Sequence, residues 1–451
     1  GLGTFTGIFG RNYNANKLGS DFIVDFSNPA LVPEPTDPFG NVGYTSGPGS
    51  IAYQERKEDD LTAEARFTSP RDQRLRWGLG GSYIEQNREV YVALDLDLGG
   101  GDIGRVHPGP QTALINEWLL TETEVWSVYG NVEYDITDAL TLSFAARYDD
   151  EERVTTNLNT TFIPLFNVFP GLVQTLKFDK FQPRVSLSWQ ATESFSFFGS
   201  YGQGYRAGGF NAPGTRQLVL AVDGLPATSN IQDSYDPEEA ESFEIGFKSV
   251  LLDSRLRFNA AAFHTTADNT QIFAFTPVTS TRARLNLDET QMVGFELDFY
   301  FLATDQIDLY GSFGYTDADI EENQADPTIE GNAVLGVPKY TANLGAQYEK
   351  HLKLALLPNV RWFSRLDWQR IGDTPWDIDD NRGTERDPVD LVNIRAGLRG
   401  ENWSVVAWSR NLLDTNYNAE NIISTNAVLG VVNFAAQGQP RTFGIDLEYN
   451  F

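Results

Sequence analysis

The 451-residue chain contains no cysteine. A structural disulfide, a thiolate zinc site and a cysteine nucleophile are therefore excluded. Methionine occurs once and histidine three times, and the histidines (His107, His264 and His351) lie far apart in sequence. There is no G-x-S-x-G elbow and no H-E-x-x-H helix motif, so neither an esterase-type nor a zincin-type site is expected. No catalytic residue, metal site or cofactor is assigned, and an enzyme is not expected. Long apolar runs are missing too. No stretch of about 18 apolar residues occurs that would cross a bilayer as a helix. The start, GLGTFTGIFGRNYN, lacks the basic head and apolar middle of a secretory signal. Either such a signal has been removed or the sequence starts inside a longer chain. Positive charge is scarce: Lys and Arg number 34 against 62 Asp and Glu, a formal net charge of −28. Nucleic-acid phosphates would be repelled, so no nucleic-acid partner is expected. Such acidity fits a solvated surface; the sharper alternative is a preference for cationic or metal-bearing ligands.

What the chain does have is aromatics, at 13% of residues, and 40 glycines. That bias favours strands over helices. The strands show in the parity of the sequence. In the closing TFGIDLEYNF, Phe443, Ile445, Leu447, Tyr449 and Phe451 fall on one set and Thr442, Gly444, Asp446, Glu448 and Asn450 on the other. In EVWSVYGNVEYDI, Trp126, Val128, Val132, Tyr134 and Ile136 oppose Ser127, Tyr129, Asn131, Glu133 and Asp135. ALTLSFAARYDD, MVGFELDFYF and LVNIRAGLRG repeat the pattern. Strict alternation over this length means strands with one apolar and one wet face. A soluble sandwich would bury the apolar faces against each other. A membrane barrel would turn them to lipid and keep water inside. Ordinary soluble strands run to about five or six residues, whereas several of these runs reach the nine to eleven that a tilted bilayer-spanning strand needs.

Connection lengths point the same way. Compact turn signals sit at SPRDQ (Ser69 to Gln73), ITDAL (Ile136 to Leu140), QATES (Gln190 to Ser194), LLDSR (Leu251 to Arg255), LATDQ (Leu302 to Gln306), LLPN (Leu356 to Asn359) and RGENW (Arg399 to Trp403). Between them lie long polar stretches at 149–179, 207–237, 317–338, 372–388 and 414–439. Short turns on one side and long loops on the other are the asymmetry of outer-membrane barrels. Aromatics near strand ends (Trp126, Tyr134, Trp189, Tyr300, Trp362, Trp403 and Tyr449) suit the bilayer interface. The reading is all-β, an antiparallel transmembrane barrel. About 16 strands are expected near 2–13, 51–69, 73–92, 120–136, 139–157, 174–191, 194–206, 236–251, 254–275, 282–302, 306–320, 338–350, 358–375, 387–400, 402–412 and 440–451. No internal boundary is visible, so residues 1–451 read as one barrel domain.

Several segments resemble the barrel of a TonB-dependent outer-membrane receptor. PRVSLSWQATESFSFFGSYGQGYRAGGFNAPG (Pro183 to Gly214) is similar to its mid-barrel hairpin and following loop. YDPEEAESFEIGFKS (Tyr235 to Ser249) resembles its P-E-x-x-x-x-x-E-x-G-x-K strand, and TQMVGFELDFYF its G-x-E strand. NLLDTNY (Asn411 to Tyr417) resembles N-L-F-D-x-x-Y, with Leu413 in place of the usual Phe. GQPRTFGIDLEYNF resembles the closing strand, and LTAEARFTSPRDQRLRWGLGGSY (Leu61 to Tyr83) a strand pair of the first half. The resemblance implies a place in the bacterial outer membrane, in contact with its lipid. It implies capture of a scarce ligand, most often an iron–siderophore complex, and energy coupling through TonB by way of a plug. It also implies a terminal signal read by the barrel-assembly machinery, here Phe443, Tyr449 and Phe451. A full receptor of this kind has 22 strands around a plug. No plug-like stretch is seen in the chain, so the plug and the first six or so strands are expected upstream, the difference between 22 and 16. A gap is then expected between the strand near Thr4 and that near Phe443. The alternative is a passive porin closed at 16 strands.

For ligand contacts the resemblance directs attention to loop and lumen-mouth residues with aromatic or charged tips: Arg206, Phe210, Trp376, Asp377 and Arg382. Aromatic rings offer stacking area and arginine pairs with anionic chelators. The bland alternative for each is an ordinary solvated loop residue. Arg147, Arg395 and Arg399 are expected to pair with neighbouring or plug acids. GQGYRAGG (Gly202 to Gly209) has the wrong third spacing for a phosphate loop. DIDDNRG (Asp377 to Gly383) starts like a calcium loop, but its glycine comes one position late and Pro388 stands where the bidentate Glu belongs. EWLLTETEVW (Glu117 to Trp126) reads as a strand extension rather than a loop helix.

Overall fold

A computed structural model describes residues 3–22, 49–97, 115–159, 168–224, 230–275, 282–354, 357–378, 385–426 and 430–450. The first strands are β1 (Thr4–Phe22), β2 (Gly49–Thr68), β3 (Leu75–Asp97), β4 (Ile115–Thr137), β5 (Leu140–Asn157), β6 (Val173–Thr192) and β7 (Phe195–Arg206). A short pair, β8 (Gly209–Phe210) and β9 (Ser234–Tyr235), brackets a one-turn helix α1 (Thr215–Leu218). Then come β10 (Glu238–Leu251), β11 (Leu256–Phe275), β12 (Arg282–Thr304), β13 (Ile307–Glu322), β14 (Tyr340–Leu354), β15 (Leu357–Ile371), β16 (Val389–Arg399) and β17 (Trp403–Arg410). A hairpin of β18 (Asn418–Asn426) and β19 (Gly430–Gln437) precedes β20 (Thr442–Tyr449).

Sixteen of these form one antiparallel sheet in the order β1 to β7, β10 to β17, β20. Each coincides with one expected strand. The ends differ: β1 runs on to Phe22 and β3 to Asp97, while β4 starts at Ile115. Glu117 to Trp126 is therefore strand, as its sequence suggests. β3 and β4 have 23 residues each, about twice what the bilayer requires. The surplus lies at the long-loop end, where Glu85, Glu89, Glu122 and Glu124 replace apolar residues. The strands stand out of the membrane there. β1 and β20 are the two ends of the sheet order, and among the described residues no pairing joins them. The gap expected between Thr4 and Phe443 is present, and a ring closed at 16 strands is not formed.

The apolar rows do not meet across a core. Phe443, Ile445, Leu447 and Tyr449 are 58–76% exposed. On β4, Trp126, Val128, Val132 and Tyr134 are exposed as well. These rows run continuously from strand to strand, as in Val405 opposite Leu447 and Ala407 opposite Ile445. The other parity lines the concave side. A cavity of about 770 Å³ is lined by Arg184, Ser200, Glu244, Asn259, Glu296 and Ser312, drawn from strands spread between β6 and β14. The sheet thus presents an oily outside and a wet inside.

Wet-face aromatics need room beside them, and glycine supplies it. A Cβ at Gly345 would lie 2.1 Å from the Tyr310 ring, and one at Gly444 2.2 Å from Trp408. Each ring lies flat over its cross-strand glycine, which sets up its polar tip. Tyr310 donates to Asp367 at 2.6 Å and the Trp408 indole donates to Asp446 at 3.1 Å.

Outside the sheet, three long connections carry more structure than their polar composition suggests. β8, β9 and α1 lie in 207–237, a 3-10 turn at Pro327–Ile329 in 317–338, and β18 with β19 in 414–439. Polar composition predicts plain loops at all three. Their elements are too short or too irregular in parity to register as alternation.

Two outcomes follow for the full-length protein refolded in lipid vesicles. Ile245→Arg, at a position 68% exposed to the bilayer, should cost about 2–4 kcal/mol. Glu244→Gln, one residue away on the wet face, should change stability by less than about 0.5 kcal/mol. Equal losses in urea-unfolding midpoints would contradict an outward Ile245 and an inward Glu244. Gly345→Val should displace Tyr310 and cost about 1–3 kcal/mol by overpacking, read as a lowered thermal midpoint that Tyr310→Ala in the same chain partly relieves.

Candidate functional site

Along the wet face, charges are paired rather than isolated. Arg147 bridges to Asp149 at 2.8 Å and donates to the Ser127 hydroxyl at 2.7 Å, while Gln182 donates to the same carboxylate at 2.6 Å. Arg365 lies against Asp367 at 2.8 Å, with its guanidinium 4.8 Å from the centre of the Tyr310 ring. On the same face Arg399 pairs with Glu349 at 3.4 Å; Arg370 and Asp390, 2.7 Å apart, lie on the outer parity, in the row of Leu366 and Ile394 and beyond its apolar stretch. Arg147 and Arg399 thus have the acidic neighbours expected of them. Arg395 lines a small cavity with two carboxylates, Asp367 and Asp446, and with Trp408. Such pairing holds each of these charges in place.

At the long-loop end the sheet loses height. β6 and β7 pair only as far as Arg184 opposite Gly202, and the connection after β7 turns over the mouth. Arg206, the last residue of β7, reaches Glu238 at 3.5 Å, and its side chain is about half exposed. The same carboxylate oxygen accepts the backbone N–H of Gln271 at 2.7 Å. The Gln271 amide donates in turn to the carbonyls of Ala207 at 2.9 Å and Asp236 at 3.0 Å. Phe210 sits on β8, paired with Ser234 of β9. Arg206 and Phe210 are therefore brought to one place, at the root of the β7–β10 connection. Arg284 of β12 joins them from the other side, donating to the Tyr235 hydroxyl at 2.9 Å with its guanidinium 5.4 Å from that ring's centre.

Trp376 and Asp377 lie in the β15–β16 connection. Arg386 places its guanidinium 5.7 Å from the Trp376 ring centre and donates to the Thr374 hydroxyl at 2.8 Å. Burial lowers the pKa of that guanidinium, yet an arginine stays charged at neutral pH. Arg382 and Phe451 lie outside the described residues, as does most of the DIDDNRG stretch. Among the described residues no group of three His, Asp or Glu side chains is placed to hold a metal ion.

What joins the two sets is an apolar cluster that sequence reasoning missed. Val219 and Ile231 from the β7–β10 connection pack with Leu285 and Leu287 of β12, Ile320 of β13, and Ile329 and Val334 of the β13–β14 connection. Ile378, two residues after Trp376, packs against it. Asparagines stitch its edges. The Asn211 amide donates to the Arg284 carbonyl and accepts the Arg284 N–H, both at 2.7 Å. It occupies the place a neighbouring strand would take. The clue in the sequence is slight: isolated aliphatics in polar stretches, with no period.

Comparison with known proteins places the chain. Residues 4–412 match the family model described as TonB dependent receptor-like, beta-barrel. The metal-pseudopaline receptor CntO of Pseudomonas aeruginosa is 29% identical over 167 residues, 37% of this chain and 20% of the relative. The probable TonB-dependent siderophore receptor PiuA of Acinetobacter baumannii is 29% identical over 176 residues, 37% of this chain and 22% of the relative. Among solved structures, the ferric yersiniabactin uptake receptor FyuA of Yersinia pestis superposes with a TM-score of 0.69 at 17% identity, covering 90% of this chain and 56% of its own. The copper transporter OprC gives 0.65 at 13% identity, with 99% and 63% covered. These aligned regions span a fifth of the curated relatives and a little over half of the solved chains. With an apolar outside, a wet concave face and a family match over nearly its whole length, this chain belongs to the TonB-dependent receptors, the β-barrel receptors of the bacterial outer membrane.

Proposed function

We propose that the chain serves as the barrel of an energised receptor that takes up a metal chelate, with an iron–siderophore complex as the cargo. The observation that carries this reading is the structured mouth above the wet face, where loop segments fold against one another instead of standing free. Such a mouth suits a ligand that must be selected and held. A passive pore needs only a wet hole. Relatives named as receptors for metal–pseudopaline and for siderophores support the choice of cargo.

In this reading Arg206 and Phe210 contact the chelate, Trp376 and Asp377 approach it from the β15–β16 connection, and Arg382 joins them. The ion pair of Arg206 with Glu238 is long, at 3.5 Å, and half exposed, so donors remain for an anionic chelate. On a chain of net charge −28, locally placed arginine supplies the attraction that the surface as a whole does not. Cargo leaves the site when TonB, driven from the inner membrane, acts on a plug. The outer membrane has no nucleotide of its own to do that work. Phe443, Tyr449 and Phe451 form the closing signal read by the barrel-assembly machinery. Phe443 and Tyr449 stand exposed on the outer row, within reach of a second protein.

The reading is tested in cells that express the full-length protein and lack other chelate receptors. Uptake of radio-iron supplied as a panel of chelates should stop when TonB is deleted, and Arg206→Ala should weaken binding about tenfold, or roughly 1.4 kcal/mol. Uptake that persists without TonB and rises linearly with concentration would mean a passive pore.

A further inference from the structure

The clustered connections at the mouth differ from ordinary long loops, which lie on the surface and are mobile because they bury little. Val219 and Ile320 are fully buried, and Leu287 is 1% exposed. Ile320 is also tied by backbone bonds: its N–H donates to Asn332 O at 2.9 Å and its carbonyl accepts from Gly331 at 2.8 Å. Val334 donates to Ala318 O at 2.9 Å. The β13–β14 connection is thus folded back onto its own strand.

Three asparagines bind the remaining segments together. Asn211 holds Arg284 through both its N–H and its carbonyl, and donates to Gln232 O at 2.7 Å. Asn230 donates to Asn286 O at 2.7 Å and to the Asn323 side chain at 3.1 Å. Asn286 accepts from the Asp236 N–H at 2.8 Å and donates to the carbonyls of Asp236 at 3.0 Å and Asn269 at 2.7 Å. A primary amide offers donor and acceptor on one planar group, so it can pair with a backbone as another strand would. A carboxylate only accepts, and a serine hydroxyl donates and accepts from a single oxygen, too narrow to span a backbone N–H and C=O as the planar amide does.

We infer that the described parts of the β7–β10 connection, the β13–β14 connection and the outer ends of β11 and β12 form one preassembled wall of the mouth, and that Asn211 and Asn286 are its positioning residues. The wall does not open or close around the cargo. It holds Arg206 and Phe210 in place before the ligand arrives, so binding bears no population penalty on this side. This rests on the reading that the mouth receives a chelate.

The absence of cysteine from the chain makes a direct test clean. Asn230→Cys with Asn323→Cys places one thiol on each of two connections whose side chains now touch. Bridging them with a short bis-methanethiosulfonate reagent should leave chelate affinity and uptake within about twofold of the reduced protein, since a preassembled wall makes no excursion on binding. A tenfold or greater loss on bridging, restored by reductant, would overturn the inference. A second measurement needs neither ligand nor substitution. In the unliganded full-length protein, the amides of Ile320, Gly331 and Val334 should exchange at least about a hundredfold more slowly than in an open peptide. Free exchange there would also overturn it, whatever the fate of the uptake proposal. Uptake that fails in the unsubstituted parent counts against the uptake proposal alone. For the positioning role, Asn211→Asp keeps the acceptor and loses the donors. It should slow chelate association severalfold while leaving dissociation unchanged. A loss confined to dissociation, or a lowered thermal midpoint with both rates intact, would contradict that role.

Discussion

In the hydrocarbon of a bilayer there is no water to accept a stray N–H or to donate to a stray carbonyl. Every other property of this structure is arranged around that requirement. Between the two end strands the backbone meets it by cross-strand pairing, strand against next strand, while the outer edges of β1 and β20 have no partner among the described residues. Pairing of that kind fixes which residues share a row, and the row decides what each side chain meets. Trp126 and Val128, paired on both sides, meet lipid because the amides of their row are already satisfied by neighbours. Asp149, Asp367 and Asp446 meet polar partners on the inner face for the same reason.

The wet face solves a second problem. Sixty-two acidic side chains against 34 basic ones would strain a closed lumen if the charges faced one another unmatched. Arg147, Arg365 and Arg399 are each set beside a carboxylate, and rings such as Tyr310 and Trp408 lie over glycine so that their polar tips reach Asp367 and Asp446. Neutral, well-ordered pairs give a wall that is polar without being sticky. Above the membrane the chemistry changes again: apolar burial returns, now between connections rather than between strands.

How much of this could be read from residues alone follows from how each part is encoded. The strands were legible because alternation is a local code, written over ten or more residues at a time. The sixteen expected ranges each found their strand, and the unpaired ends at Thr4 and Phe443 were anticipated from the count. The upper half of β1 was not, because KLGSDF has no alternation to announce it, and its pairing comes from β2. The mouth was legible only in part. Arg206 and Phe210, picked out by chemistry and position, stand at the root of one connection, and Trp376 and Asp377 on another. The cluster of Val219, Leu287, Ile320 and Ile329 joins residues up to 110 positions apart, and no window of sequence contains it. Asn211 looked like any turn residue until Arg284 appeared beside it.

The apolar knot among the connections has a consequence for how such a surface changes over generations. Outer membranes are inspected from outside by phage, toxins and antibodies, and the loops facing them are under pressure to vary. A hanging loop that changes its tip also changes its shape. Here the shape is set from beneath, by buried aliphatics and side-chain amides that an outside probe does not touch. The visible skin can drift in identity while the contour under it, and the geometry turned toward the channel, are inherited unaltered.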